Sequence, residues 1–108
     1  MDKETQCILD RYNLTPLMVA YYYNSAFGVF PVAENLRYQY SLFTPASGFS
    51  LPVNEFALIQ DFAGTGVSTF RFGSVVYDMN AQNDHEGFLL DRVTSSTGTF
   101  MIHIFKYV

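Results

Sequence analysis

The polar segment from residue 78 to residue 87 holds the densest group of side chains that could bind a cation. It contains Asp78, Asn80, Asn83, Asp84, His85 and Glu86, and hard cations such as Ca²⁺ prefer oxygen ligands of this kind. The helix–loop–helix calcium template does not fit, because it requires glycine where Asn83 stands and glutamate where Leu89 stands. We therefore expect a solvated hairpin loop and no metal. An irregular Ca²⁺ site remains open, and its ligands would be Asp78, Asn80, Asp84 and Glu86.

Cysteine and histidine are the other candidates for chemistry. Zinc sites need three or four Cys or His ligands, often closely spaced, whereas this chain has Cys7, His85 and His103, far apart in sequence. Cys7 lies among apolar residues in a helical pattern, so we expect a small buried side chain and not a nucleophile. His103 stands between two isoleucines and is expected in the core or in an interface. With no phosphate-binding glycine motif, the sequence predicts a protein that is not an enzyme and has no cofactor.

The composition points instead to interactions. Charged residues form 15% of the chain, against roughly 25% in ordinary soluble domains, while aromatics reach 18%. Residues 12–33, 38–54 and 93–105 carry no Asp, Glu, Lys or Arg. Either Tyr, Ser, Thr and Asn keep this surface soluble, or a partner covers it, and we favour a partner because Tyr and Phe are enriched in interface cores. The predicted contact residues are Tyr21, Tyr22, Tyr23, Tyr38 and Tyr40.

Charge and hydropathy argue against two other classes of partner. The net charge of −4 and the six scattered basic residues are unsuited to phosphate-backbone binding. The uncharged run 12–33 contains asparagine, serine and proline residues that interrupt any membrane span. We expect no direct nucleic-acid binding, no membrane association and a cytoplasmic location, in a cell or an infected host.

The first quarter of the chain reads as two short helices. Asp2 is a suitable N-cap for a helix that ends near Tyr12. Thr15 followed by Pro16 is a typical restart, since proline is favoured at the first helical position, and the second helix is expected to end before Gly28. The three consecutive tyrosines at 21–23 occupy more than half of this helix's circumference, so at least one ring must point away from the core.

The rest of the chain reads as strands. Residues 36–42 alternate apolar and polar side chains, which is typical of a half-buried strand. We expect a short strand at 49–53 followed by helical turns at 54–62, a strand from 67 to 79 with a bulge or bend at Gly73, and a strand at 88–93. The last strand, 100–107, is apolar on both faces and should lie centrally in a sheet.

The whole chain of 108 residues is expected to form one domain, helical over 2–27 and strand-rich over 28–108. The predicted fold is α+β, with short N-terminal helices packed on a mainly antiparallel sheet or small sandwich of about five strands. The function we favour is that of a small protein–protein interaction protein, such as a viral or phage accessory protein that inhibits a host factor or self-assembles as a homo-oligomer. The alternatives are a ligand-binding β-domain with an aromatic pocket and a structural component of a particle.

Overall fold

A computed structural model describes residues 1–63, 67–80, 87–96 and 99–108. Two α-helices open the chain, α1 at Lys3–Arg11 and α2 at Pro16–Phe27, and a short 3₁₀ turn follows at Ala33–Asn35. The described strands are β1 Leu36–Phe43, β2 Glu55–Ala63, β3 Val67–Phe72, β4 Val75–Asn80, β5 Leu89–Leu90, β6 Arg92–Ser96 and β7 Thr99–Tyr107. This arrangement confirms the α+β prediction.

Both helices begin at the residues that the sequence indicates. The Asp2 carboxylate caps α1 by accepting from the Thr5 backbone N–H at 2.8 Å. The Thr15 hydroxyl caps α2 by accepting from the Met18 N–H at 3.1 Å, with proline at the first helical position. Such caps satisfy backbone donors that have no partner within the helix. Gly28 ends α2 in the left-handed conformation, with φ at 74°.

Two antiparallel sheets follow. One has four strands in the order β1-β7-β2-β5, and the other has three in the order β4-β3-β6. β7 lies between β1 and β2, so the prediction of a central last strand is confirmed. Its alternate side chains enter two separate cores, with Phe105 and Tyr107 in one and Ile102 and Ile104 in the other.

The two cores define three layers. Helix residues such as Leu9, Val19 and Tyr23 pack on one face of the four-stranded sheet, against Phe56 and Phe105 among others. The opposite face packs on the three-stranded sheet through the residues Ala57, Ile59, Phe70, Leu90, Val93, Phe100, Ile102 and Ile104. The four-stranded sheet is therefore covered on both sides. The helices form an outer layer, and the helix faces that point away from the sheet are directed to solvent.

Several strand predictions are wrong. Residues 54–62 are not helical but lie mostly in β2, and residues 49–53 hold a single bridge at Ser50 and no strand. The helix-like spacing at 56–62 arose because β2 is buried on both faces, and a continuous apolar run carries no reliable periodicity. A bulge between Ile59 and Asp61 shifts the pattern further.

The strand number is also higher than predicted, seven instead of about five within the described residues. Gly73 is not a bulge in one long strand: it begins the two-residue turn between β3 and β4, with φ at 58°. A positive φ at the first central position of a tight hairpin favours glycine. The strand predicted at 88–93 is divided, because β5 pairs with β2 in one sheet and β6 with β3 in the other.

Neither α-helix in the described part of the chain has the length and apolar character needed to cross a membrane.

A candidate interaction surface on helix α2

Helix α2 carries large apolar side chains on its outer face as well as on its inner face, with Ser25 as an exposed polar residue. Its buried side chains recur at helical spacing, namely Val19, Ala20, Tyr23 and Ala26. Leu17, Met18, Tyr21 and Tyr22 point outward and are 36–57% exposed. A helix that packs on a sheet normally presents polar residues to solvent, so this outer face departs from the usual pattern.

The segment that follows α2 extends the same apolar surface. Val29, Phe30 and Val32 are 49–61% exposed, and the Phe30 ring contacts the Tyr21 ring edge-on, with centroids 5.0 Å apart. We call the seven residues together the α2 surface: Leu17, Met18, Tyr21, Tyr22, Val29, Phe30 and Val32. All of them belong to the uncharged stretch 12–33, so no charged residue of that stretch interrupts the surface.

The five predicted contact tyrosines do not form one patch. Tyr21 and Tyr22 are exposed on α2, but Tyr23 is buried, at 4% exposure, and belongs to the core. Tyr38 is partly buried and packs against the helix-side core. Tyr40 is 49% exposed, and its cross-strand partner is Ile104, which places it on the opposite face of the sheet from α2. Of the five tyrosines, Tyr21 and Tyr22 therefore share an exposed surface, that of α2.

A pocket adjoins the α2 surface at Tyr22. It lies between α2 and the β3–β4 hairpin and has a volume of about 450 Å³. Its apolar lining includes Leu14, Ala26, Phe72, Val75, Phe88 and Leu89. Three hydroxyl-bearing residues also line it, namely Tyr22, Ser25 and Tyr77. Burial raises the pKa of Tyr77, which keeps this side chain a neutral phenol over the physiological range.

His103 of β7 is a buried polar residue. It is 5% exposed, and its Nδ1 lies 2.9 Å from the Ser41 hydroxyl oxygen. Ser41 is in turn 2.8 Å from the Tyr38 hydroxyl. The Nε2 atom is buried and has no hydrogen-bond partner among the described residues. Burial lowers the pKa of His103 below 6.5, and the charge of Arg11 lowers it further, so the expected core histidine is neutral.

Cys7 is not the buried side chain that its neighbours suggested. It lies on the exposed face of α1 as a free thiol, while Ile8 and Leu9 beside it are buried. Along an amphipathic helix the position within the turn decides burial, and Cys7 falls on the solvent side together with Lys3 and Asp10.

The proposed cation loop stays a prediction. Asp78 and Asn80 belong to β4, and Asp84 and Glu86 lie outside the described residues, as do Asn83 and His85. Within the described ranges, no three Cys, His, Asp or Glu side chains are grouped so that they could hold a metal ion.

Sequence reasoning kept an aromatic pocket only as an alternative and did not identify the residues that line this one, nor did it single out the segment 29–32. The pocket joins residues from α2, the β3–β4 hairpin and residues 87–89, which are distant in sequence, so local periodicity carries no signal for it. The segment 29–32 was visible as part of the uncharged run 12–33.

A comparison of the chain with known protein families, curated proteins and solved structures gives no match.

Proposed function

We propose that this chain is a non-enzymatic protein-binding module that works through the α2 surface. The observation that supports this most directly is the set of seven exposed large apolar side chains within the uncharged stretch 12–33. Contiguous exposed apolar surface is uncommon on soluble monomers and marks interaction sites when it occurs.

The chemistry of the surface favours a protein partner. Tyrosine and phenylalanine give large contact areas at a low cost in conformational entropy, and tyrosine is enriched among the residues that dominate binding energy. A nucleic acid would need Arg or Lys for its phosphates, and the stretch 12–33 contains neither.

The partner is either another protein or a second copy of this chain. A small acidic accessory protein of a virus or phage, inhibiting a host factor in the cytoplasm, needs one such surface and no catalytic site. A subunit of a particle or a homo-oligomer would use the same surface for self-association.

A photo-crosslinking residue at position 21, compared with the same residue at position 43, tests the proposal. Phe43 is 63% exposed on β1 and serves as the matched control outside the α2 surface. We expect a protein adduct, identified by mass spectrometry, at position 21 and none at position 43. An adduct with another protein identifies a heterologous partner, and an adduct with this chain identifies self-association. Equal labelling at both positions, or none at position 21, would contradict the proposal.

A further inference from the structure

We infer that the pocket between α2 and the β3–β4 hairpin binds a small, uncharged and largely apolar molecule. Its volume of about 450 Å³ lies in the range of small-molecule sites, about 300–1,000 Å³. The inference is independent of the proposed protein-binding role, although Tyr22 belongs to both regions.

The first argument is that hydrogen bonds fix two walls of the pocket in place. The hairpin turn is tied to the end of α2, because the Ser74 backbone N–H donates to the Ala26 carbonyl at 3.1 Å. On its other side the turn is held by Asp91, whose carboxylate accepts from the Gly73 N–H at 2.9 Å. A side chain at position 73 would overlap the Ala26 carbonyl, so only glycine allows the helix and the turn to approach this closely.

A second pair of hydrogen bonds fixes the opposite wall. The Gly87 N–H donates to the Ile59 carbonyl, and the Ile59 N–H donates to the Phe88 carbonyl, both at 2.9 Å. Residues 87–89 are thereby attached to β2, a central strand of the four-stranded sheet. A pocket with fixed walls does not have to be ordered when the ligand arrives, which favours affinity for a small molecule.

The second argument is the chemistry of the lining, which selects a neutral ligand. Among the described residues that line the pocket there is no Asp, Glu, Lys, Arg or His. A charged ligand group placed there would lose its hydration without gaining a counter-charge from these described residues. The hydroxyl-bearing residues Tyr22, Ser25 and Tyr77 supply hydrogen-bonding groups for one or two polar atoms. The aromatic lining, in which the Tyr77 and Phe88 rings meet edge-on at 5.6 Å, suits a flat ring system.

Two fluorescent probes with the same ring skeleton test this inference. N-phenyl-1-naphthylamine is neutral, whereas 8-anilinonaphthalene-1-sulfonate adds a sulfonate to the same skeleton. We expect the neutral probe to bind the whole protein at one site per chain. The sulfonate should bind at least about tenfold more weakly, because its charge would be unpaired in an apolar site.

Val75 and Val76 offer a matched pair of variants. Val75 lines the pocket and is 37% exposed, whereas Val76 is 53% exposed and does not line it. Val75→Trp fills the pocket and should weaken the neutral probe about 10- to 200-fold, the range for steric changes in an apolar site. Val76→Trp should leave probe binding unchanged. Because both side chains are partly exposed, both variants should fold, which their thermal unfolding checks.

Three outcomes would overturn the inference: no saturable binding of the neutral probe, equal binding of the two probes, or equal loss in the two variants. If the pocket instead receives a side chain of the partner, the neutral probe shows no saturable binding, and the Val75→Trp variant crosslinks to the partner more weakly than wild type does. Failure of the probe experiment leaves the crosslinking contrast between positions 21 and 43 intact, so the two proposals fail separately.

Discussion

The buried histidine of β7 makes the stability of this protein depend on pH in a defined direction. Nδ1 of His103 is 2.9 Å from the Ser41 hydroxyl, while Nε2 is buried with no partner among the described residues. The neutral ring can place its proton on Nδ1 and donate to Ser41, which leaves a lone pair at Nε2. Protonation would add an N–H at Nε2 with no described acceptor, and a positive charge near Arg11.

The folded protein therefore holds this proton less tightly than the unfolded chain does. Burial lowers the folded-state pKa below 6.5, whereas the unfolded chain has an ordinary histidine pKa. Between these two values the unfolded state binds more protons, so the free energy of unfolding falls as the pH falls. The slope for one proton is at most about 1.4 kcal/mol per pH unit. Above pH 6.5 this contribution is constant, and below the folded-state pKa it levels off again.

Urea unfolding of wild type, His103→Asn and His85→Asn at half-unit steps from pH 5 to 7.5 measures the effect. Asparagine keeps a hydrogen-bonding group for Ser41 but does not titrate. We expect wild type and His85→Asn to lose stability below pH 6.5, and His103→Asn to lose less. Equal slopes in wild type and His103→Asn, or a slope removed by His85→Asn, would refute this reading of the buried ring.

Three further predictions concern single side chains. Gly73→Ala should destabilise the protein more than Gly28→Ala does, as measured by urea unfolding. Both glycines have a positive φ, which costs other residues about 1–2 kcal/mol. At Gly73 an added Cβ also overlaps the Ala26 carbonyl, whereas at Gly28 it meets no atom. Equal costs would contradict the close approach of the turn to α2. Tyr107→Phe should raise the free energy of unfolding by about 1 kcal/mol. The Tyr107 hydroxyl is buried without a described hydrogen-bond partner, and such a group costs about 1–3 kcal/mol. A loss of stability in this variant would show that the hydroxyl has a partner. Cys7→Ser should change the free energy of unfolding by less than about 0.5 kcal/mol, as substitutions at exposed sites do. The wild-type thiol should react with a thiol reagent in the absence of denaturant. Failure to react would show that Cys7 is covered.

The helices and the outer strand of the four-stranded sheet were predictable because their signals are local. Capping at Asp2 and Thr15 and the stop at Gly28 each depend on neighbours within a few residues. The same holds for the central position of β7, since apolar side chains on both faces require cover on both faces. The alternation at 36–42 correctly indicated a strand, but a bulge between Tyr38 and Tyr40 places these two side chains on opposite faces of the sheet and not on the one face that the alternation predicts.

What the sequence could not provide depends on contacts between distant segments. β2 shows no usable period because both of its faces are buried. Gly73 is read as a turn only once Phe72 and Val75 are seen to pair. Tyr21, Tyr22 and Tyr23 have the same side chain, and only the packing of α2 on the sheet shows that Tyr23 is the one that enters the core. The pocket requires residues 87–89 and α2 to line the same space, an arrangement with no local signature in the sequence.

The central claim, that the α2 surface is where a protein binds, is tested most directly by two matched double variants. Tyr21→Ser with Phe30→Ser removes two aromatic rings from the α2 surface, and Tyr40→Ser with Phe43→Ser removes two rings of similar exposure from β1. The measurement is the affinity for the partner identified by crosslinking, or the dimer dissociation constant where that partner is a second copy. We predict that the α2 variant weakens binding about 30-fold or more, as loss of a residue worth about 2 kcal/mol does, and that the β1 variant binds as wild type does. An equal loss in both variants, or a loss confined to the β1 variant, would contradict the account.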